Sequence, residues 1–378
     1  MRMKKLMILA VAAIALVACS KTFDTHHHGN EGKAIGFGTW TETLTKARAT
    51  GATATTSFVD DESFKVYGTK TKGGTQYVVF NGDVVTADVA STVSWSYVTT
   101  RYWDPSATSY TFYAALPGSM VTAYASLTED QKTAISSQDY PLNGKFYGSF
   151  TFSDPTNITN DVMIAEREDV LNDAFGNIVE LDFNHIASCV SLYAKKDAAL
   201  SDATVTVTGV KFKNIKKTGD FHVSSYSPVT VAWSGQTSIL ETEASSGIYN
   251  VALGGDKAVT AHNDYTDHAA GAVTGTAVAL LEGYVFLPQS FTAATEQILL
   301  SYTIQIGTEE ANVYTDVPID LIAFKTTDTD DNSGSAIGSW DAKTHYQYTI
   351  TIGANAIEFS AKVIAWANTI DGYHYLVN

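Results

Sequence analysis

The sequence predicts an all-β protein made of two β-sandwich domains in tandem. Three observations point that way. Apolar and β-branched residues recur in short runs of period two, separated by Gly and Asp turns. Charged residues make up only 17 % of the chain, while Thr, Ser, Ala, Gly, Val and Tyr are abundant, a balance that favours strands over helices. The length of 378 residues suits about two domains of ordinary size.

The elements follow in order. Residues 1–19 form a lipoprotein signal peptide: Arg2, Lys4 and Lys5 precede the apolar run Leu6 to Ala18. That run is shorter than the roughly 20 residues needed to span a bilayer. Leu16-Val17-Ala18-Cys19 has the form of a bacterial lipobox, in which the Cys19 thiol accepts a diacylglycerol and anchors the chain to an outer membrane. The other cysteine, Cys189, then has no intramolecular partner and is expected to be a small buried hydrophobe. Residues 20–32 show no periodicity and read as a tether. His26, His27 and His28 lie on it, where they lack the fixed geometry a metal requires.

In Ala34-Ile35-Gly36-Phe37-Gly38, Ile35 and Phe37 share one face of a strand. Lys46-Ala47-Arg48-Ala49-Thr50 follows in a Thr/Ala-rich stretch, where the backbone after Arg48 is open to a tryptic-type protease. Two readings of Arg48 remain at this point: a cleavage point before Ala49, or a loop cation that follows a permanent strand.

Further strands are expected at Phe64–Gly68, Thr75–Phe80 with a hairpin turn at Asn81-Gly82, Val84–Thr86, Ser94–Tyr97, Tyr110–Ala115, Tyr147–Phe152 and Asp161–Ala165. Leu127–Ile135 reads as a short helix with Thr128 as N-cap and Glu129 and Asp130 in its first turn. The polar run Glu166 to Gly176 predicts a boundary between domains at 49–172 and 173–378. The second half restarts with strands at Ile178–Phe183, Ala187–Tyr193, Ala203–Val210, Val229–Trp233, Gly283–Leu287, Ile298–Ile306, Gln347–Ile352 and Ile357–Trp366.

The formal net charge of −16, from 40 acidic and 24 basic residues, argues against nucleic acid as a partner. No phosphate loop, CxxC pair or nucleophile motif is present, so neither a catalytic site nor a cofactor is expected. Asp328 to Gly334 looks like a calcium loop, but Ser333 and Ser339 stand at its sixth and twelfth positions, so a solvated turn is expected and a weak calcium site is the alternative. His185 is expected to be a hydrogen-bonded structural residue. Trp95, Tyr102 and Trp103 could line a carbohydrate surface or fill a core.

Several motifs together resemble the fimbrillin-like proteins, the subunits of type V pili. They are the lipobox at Cys19, Phe64-Lys65-Val66-Tyr67-Gly68, Val79-Phe80-Asn81-Gly82, Trp95-Ser96-Tyr97, Arg101-Tyr102-Trp103 and Tyr110 to Ala114. In the second half they are Leu181 to His185, Val210 to Ile215 ahead of Gly219, Phe286-Leu287-Pro288-Gln289, and Tyr346-Gln347-Tyr348 before Trp366.

The resemblance implies transthyretin-like sandwiches and a cell-surface fimbrial location. It implies a precursor whose segment 20–48 carries a first strand that an arginine-specific protease removes. A strand from a neighbouring subunit then fills the vacated groove. The partners would be other pilus subunits. The donor is expected in the C-terminal tail, where Ile370, Tyr373, Tyr375 and Val377 are the candidate inserting residues. The competing expectation is a monomeric surface lipoprotein that binds a host glycan or protein.

Overall fold

The computed structural model describes residues 33–39, 63–88, 94–135, 137, 139–156, 161–171, 176–200, 202–259, 277–326, 335–353 and 357–365. The first half supplies β1 (Gly36–Thr39), β2 (Ser63–Lys72), β3 (Thr75–Asp88), β4 (Ser94–Tyr97), β5 (Ser109–Leu116), helix α1 (Glu129–Ala134), β6 (Tyr147–Thr151), β7 (Met163–Leu171) and β8 (Ile178–His185). Seven of these strands form one sheet in the order β1-β8-β7-β5-β2-β3-β4. Every neighbouring pair in it is antiparallel except β1 with β8, which is parallel.

Alternation drives the burial. In β2, Phe64 and Val66 face a core that also holds Phe80, Val85, Phe112, Leu181 and Phe183. The β2–β3 turn lies at Gly73-Gly74, both with positive φ (58° and 78°), and Lys72 pairs with Thr75 across it. The hairpin expected at Asn81-Gly82 is therefore not a turn. β3 runs straight through it, and Gly82 (φ 84°) is the extra residue of a bulge between the pairs Val66–Asp83 and Tyr67–Asn81. Helix α1 forms as expected: Thr128 and Gln131 make a reciprocal capping box.

The expected domain boundary is also corrected. Residues 172 and 173 fall between β7 and β8, and these two strands pair with each other in the first sheet. The polar run misled because β7 is a strand with an exposed outer half and a bulge around Asp169 (φ 51°). Burial, and then Glu168 beside it, push the Glu166 carboxyl up to about 7.

The second half supplies β9 (Ser188–Lys196), β10 (Ala203–Lys213), β11 (Lys216–Tyr226), β12 (Val229–Ile239), β13 (Ile248–Asn250), β14 (Lys257–Val259) and β15 (Val278–Phe286). It continues with β16 (Gln289–Ser290), β17 (Gln297–Ile306), β18 (Asn312–Asp320), β19 (Ser339–Trp340), β20 (Thr344–Ile352) and β21 (Ile357–Ala365). One sheet runs β13-β10-β17-β18, with β14 also on β10, and another runs β15-β9-β20-β21. Their shared core includes Leu192, Val205, Phe212, Phe286, Leu300, Trp340 and Tyr348. Trp340 is fully buried, and its indole N–H donates to the Tyr348 hydroxyl at 2.8 Å, so its polar tip is satisfied.

A fourth sheet, β12-β11-β6, takes one strand from the first half and two from the second. Beneath it, Tyr67, Phe146, Phe152 and Ile164 pack with Ile186, Phe221, Val285 and Leu287. The two halves thus share a core. Cys189 lies in it, and burial pushes its thiol well above the ordinary value. His185 is structural, as expected: its Nδ1 lies 2.7 Å from the Asp161 carboxylate, and both side chains are fully buried.

His345 on β20 gives the fold a pH dependence. It is half-buried, its Nε2 lies 2.9 Å from the Ser191 hydroxyl, and the same hydroxyl accepts the Gly283 N–H at 3.0 Å. Burial holds the imidazole down at about 4, against the usual 6.5. The unfolded chain therefore binds more protons between these values. Stability from this residue is complete above pH 6.5 and is lost as pH falls towards 4, by up to about 1.4 kcal/mol per pH unit. Denaturant unfolding of the native protein and of His345→Asn at pH 7, 5.5 and 4.5 checks this. The gap between the two proteins should shrink as pH falls, and a gap independent of pH would contradict the assignment.

Candidate functional site

Ile35 and Phe37 come together as the sequence predicts. They are 1 % and 5 % exposed, on one face of the segment formed by β1 and the residue before it. The Phe37 ring sits at the centre of an aromatic cage. Its centroid is 5.2 Å from Phe80, 5.8 Å from Tyr97, 5.9 Å from Phe112 and 6.2 Å from Phe64, all edge-on. Burying two side chains of this size contributes about 1.5–3 kcal/mol each.

The backbone of this segment fills a slot between two edges. On one side β1 pairs in parallel with β8, from Gly36–Ile178 to Thr39–Leu181. On the other, Ala34 bridges Tyr102 in the antiparallel sense. Ile35 N–H donates to Arg101 C=O at 2.8 Å, and Trp103 N–H donates to Lys33 C=O at 2.8 Å. The Tyr97 hydroxyl donates to Ile35 C=O and accepts Arg101 N–H at 3.3 Å. Burial raises the Tyr97 phenol above its ordinary value, so it stays a donor. The strand alternates deep anchors with Gly36 and Gly38, so its other face presents only backbone. Ile178 of β8 covers that face: a Cβ added at Gly38 would fall 2.7 Å from the Ile178 Cγ2.

The other end of the chain holds β21, which pairs antiparallel with β20 from Thr344–Ala365 to Ile352–Ile357 and forms the last strand of its sheet. The remaining predicted positions lie outside the described residues. These are Cys19, the three histidines, Arg48 and Ala49, the tail residues Ile370, Tyr373, Tyr375 and Val377, and the Asp328–Gly334 turn.

The aromatic surface considered for carbohydrate does not assemble. Trp103 is 3 % exposed and packs edge-on against Tyr110 at 4.7 Å. Trp95 is half-buried against Phe64 at 4.9 Å. Tyr102 alone of the three is largely exposed. Tyr97 and Arg101 hold the slot, and the sequence reading did not single them out for that role. A contact between residues 62 apart leaves no periodicity to read. Among the described residues, no cluster of three or more His, Cys, Asp or Glu could hold a metal ion.

Comparison with known proteins bears on this geometry. A family model described as fimbrillin-like matches residues 47–366. Among solved structures, a fimbrial protein from Bacteroides vulgatus is 17 % identical; the match covers 89 % of this chain and 100 % of that one, with a TM-score of 0.52. That likeness shows a shared fold. Two matches with lower TM-scores come from Porphyromonas gingivalis. A C-terminally truncated tip fimbrial protein is 9 % identical over 85 % of this chain and 98 % of that one, with a TM-score of 0.34. A fimbrilin is 9 % identical over 89 % and 98 %, with a TM-score of 0.38. No curated protein matches the chain. The family model spans both halves from residue 47 onward, and on that match the chain belongs to the fimbrillin-like family.

Proposed function

We propose that this protein is a structural subunit of a fimbrium, exported as a lipoprotein through Cys19 and polymerised by exchange of its first strand. Cleavage between Arg48 and Ala49 would free the segment that carries β1. Membership of the fimbrillin-like family supports a fimbrial or adhesive role. The observation that carries the exchange reading is the Phe37 cage.

β1 is the terminal strand of its sheet, so it can leave without breaking a ladder between other strands. Its departure would leave four aromatic rings around a void, together with unpaired backbone on β8 and at residues 101–103. Such a groove draws in another extended segment with apolar side chains at alternate positions. Tyr373, Tyr375 and Val377 alternate in that way, and Ile370 adds a fourth apolar side chain. A neighbour's tail would therefore enter the groove, and the subunit's own tail would enter the next.

Three experiments check this reading. A chain beginning at Ala49 should form concentration-dependent, SDS-resistant oligomers while the uncut chain stays monomeric, and removing residues 367–378 from the cut form should stop growth. A cut form that stays monomeric at every concentration would sink strand exchange. In the uncut chain, Phe37→Ala should cost about 3–5 kcal/mol in denaturant unfolding, because the cage cannot collapse fully onto alanine. A loss below about 1 kcal/mol would mean that Phe37 is not a core plug. Metabolic labelling with a palmitate analogue should mark the native chain and leave Cys19→Ala unlabelled. Equal labelling of both would refute the lipid anchor.

A further inference from the structure

Among the described residues, most of the outer edge of strand β3 beside the slot has no partner strand. β2 pairs with it from Thr75 to Thr86, but β4 meets only Val85–Asp88 on the other side. Among the described residues, no strand pairs with the outer side of Thr75–Val84. Within that edge, Gln76-Tyr77-Val78-Val79-Phe80-Asn81 carries no charge and no proline and is rich in β-branched and aromatic residues. Tyr77 and Val78 are 48 % and 57 % exposed. A six-residue segment of this composition on an open edge is a template for pairing with its own copy in another molecule.

The edge is blocked at two points. Val79 and Gly82 are bulge residues that interrupt the ladder with β2. The Arg101 guanidinium donates from Nε to Val79 C=O at 3.0 Å, and the Asp83 carboxylate accepts Asn81 N–H at 3.1 Å. The two side chains pair with each other at 3.3 Å. Val79 and Asn81 are two residues apart, the spacing at which an incoming strand would make its ladder bonds. A partly exposed ion pair adds little stability by itself. Its effect here is to occupy backbone groups that a second strand would need.

This clasp is tied to the slot. The Arg101 carbonyl accepts Ile35 N–H, and Arg101 N–H reaches the Tyr97 hydroxyl, which donates to Ile35 C=O. One residue therefore contacts the first-strand segment through its backbone and guards β3 through its side chain.

We infer that Arg101 and Asp83 form a clasp that closes the β3 edge against pairing with the same edge of a second copy of this chain, and that the slot's occupant steadies the clasp through the backbone of Ile35. Only the second clause rests on the strand-exchange reading. A filled slot then permits growth along one direction while lateral sticking is suppressed.

The test uses the uncut chain, in which β1 stays in place. Sedimentation velocity over a concentration series is combined with hydrogen exchange at Thr75–Val84. Arg101→Ala should self-associate at concentrations where the native chain is monomeric, with several-fold faster exchange at Asn81 when dilute and new protection across Thr75–Val84 when concentrated. Asp83→Ala, which changes a half-buried side chain outside the hydrophobic cores, should do the same and covers the case in which Arg101→Ala misfolds. Lys70→Ala removes a nearby cation that pairs with Asp104 and should remain monomeric. If Arg101→Ala and Asp83→Ala stay monomeric with unchanged exchange, or if Lys70→Ala associates equally, the clasp is wrong. The slot reading is untouched by that result because the slot is filled throughout. Tyr97→Phe should speed exchange at Asn81 several-fold, and unchanged exchange there would overturn the link to the slot.

Discussion

The structure turns on one side chain in one place: Phe37, held inside the first core by a strand of four residues. Its ring fills the space between Phe64, Phe80, Tyr97 and Phe112, which come from β2, β3, β4 and β5. Those strands could pair with one another without it, but the space between them would not be filled. A core this dense does not tolerate a ring-sized void. The strand that delivers Phe37 has glycine on its other face and is the last in its sheet, so its hold is concentrated in two anchors and a few backbone bonds. Strong need for an occupant and modest attachment of the present one are the two conditions that exchange requires.

The rest of the fold is braced by contacts outside the slot. β6 pairs with β11 across the two halves, and their shared core joins the first sheet to the second sandwich. A void at Phe37 lies in a different cluster from Tyr67, Phe146 and Phe221, which keep their neighbours on both sides. The slot is thus a local feature of a braced molecule. The Arg101 contacts extend its influence to one adjacent edge.

Much of this was legible in the sequence, for identifiable reasons. β4 and α1 follow from alternation and from the Thr128 cap, both local signals. Ile35 and Phe37 were readable as one apolar face because a period of two survives even in a short strand. β11 was missed because it opens on Lys216-Lys217-Thr218-Gly219-Asp220 and gains its place from pairing with β6 and β12. β18 was missed because Pro318 interrupts it, which an edge strand tolerates. Asn81-Gly82 carried a turn signal, but Gly73-Gly74 had already made the turn, and the same left-handed freedom served a bulge instead. The Tyr97 and Arg101 contacts were not legible at all, since they join segments far apart in the chain.

Binding of a synthetic peptide spanning residues 33–39 to the chain that begins at Ala49 tests the central claim most directly. Trp95 and Trp103, which line the same core, report occupancy through their fluorescence. The expected result is saturable one-to-one binding that blocks oligomer growth and is lost when the phenylalanine at position 37 of the peptide is replaced by glycine. Absence of binding, or equal binding of the glycine peptide, would contradict the view that the slot is held by its aromatic plug.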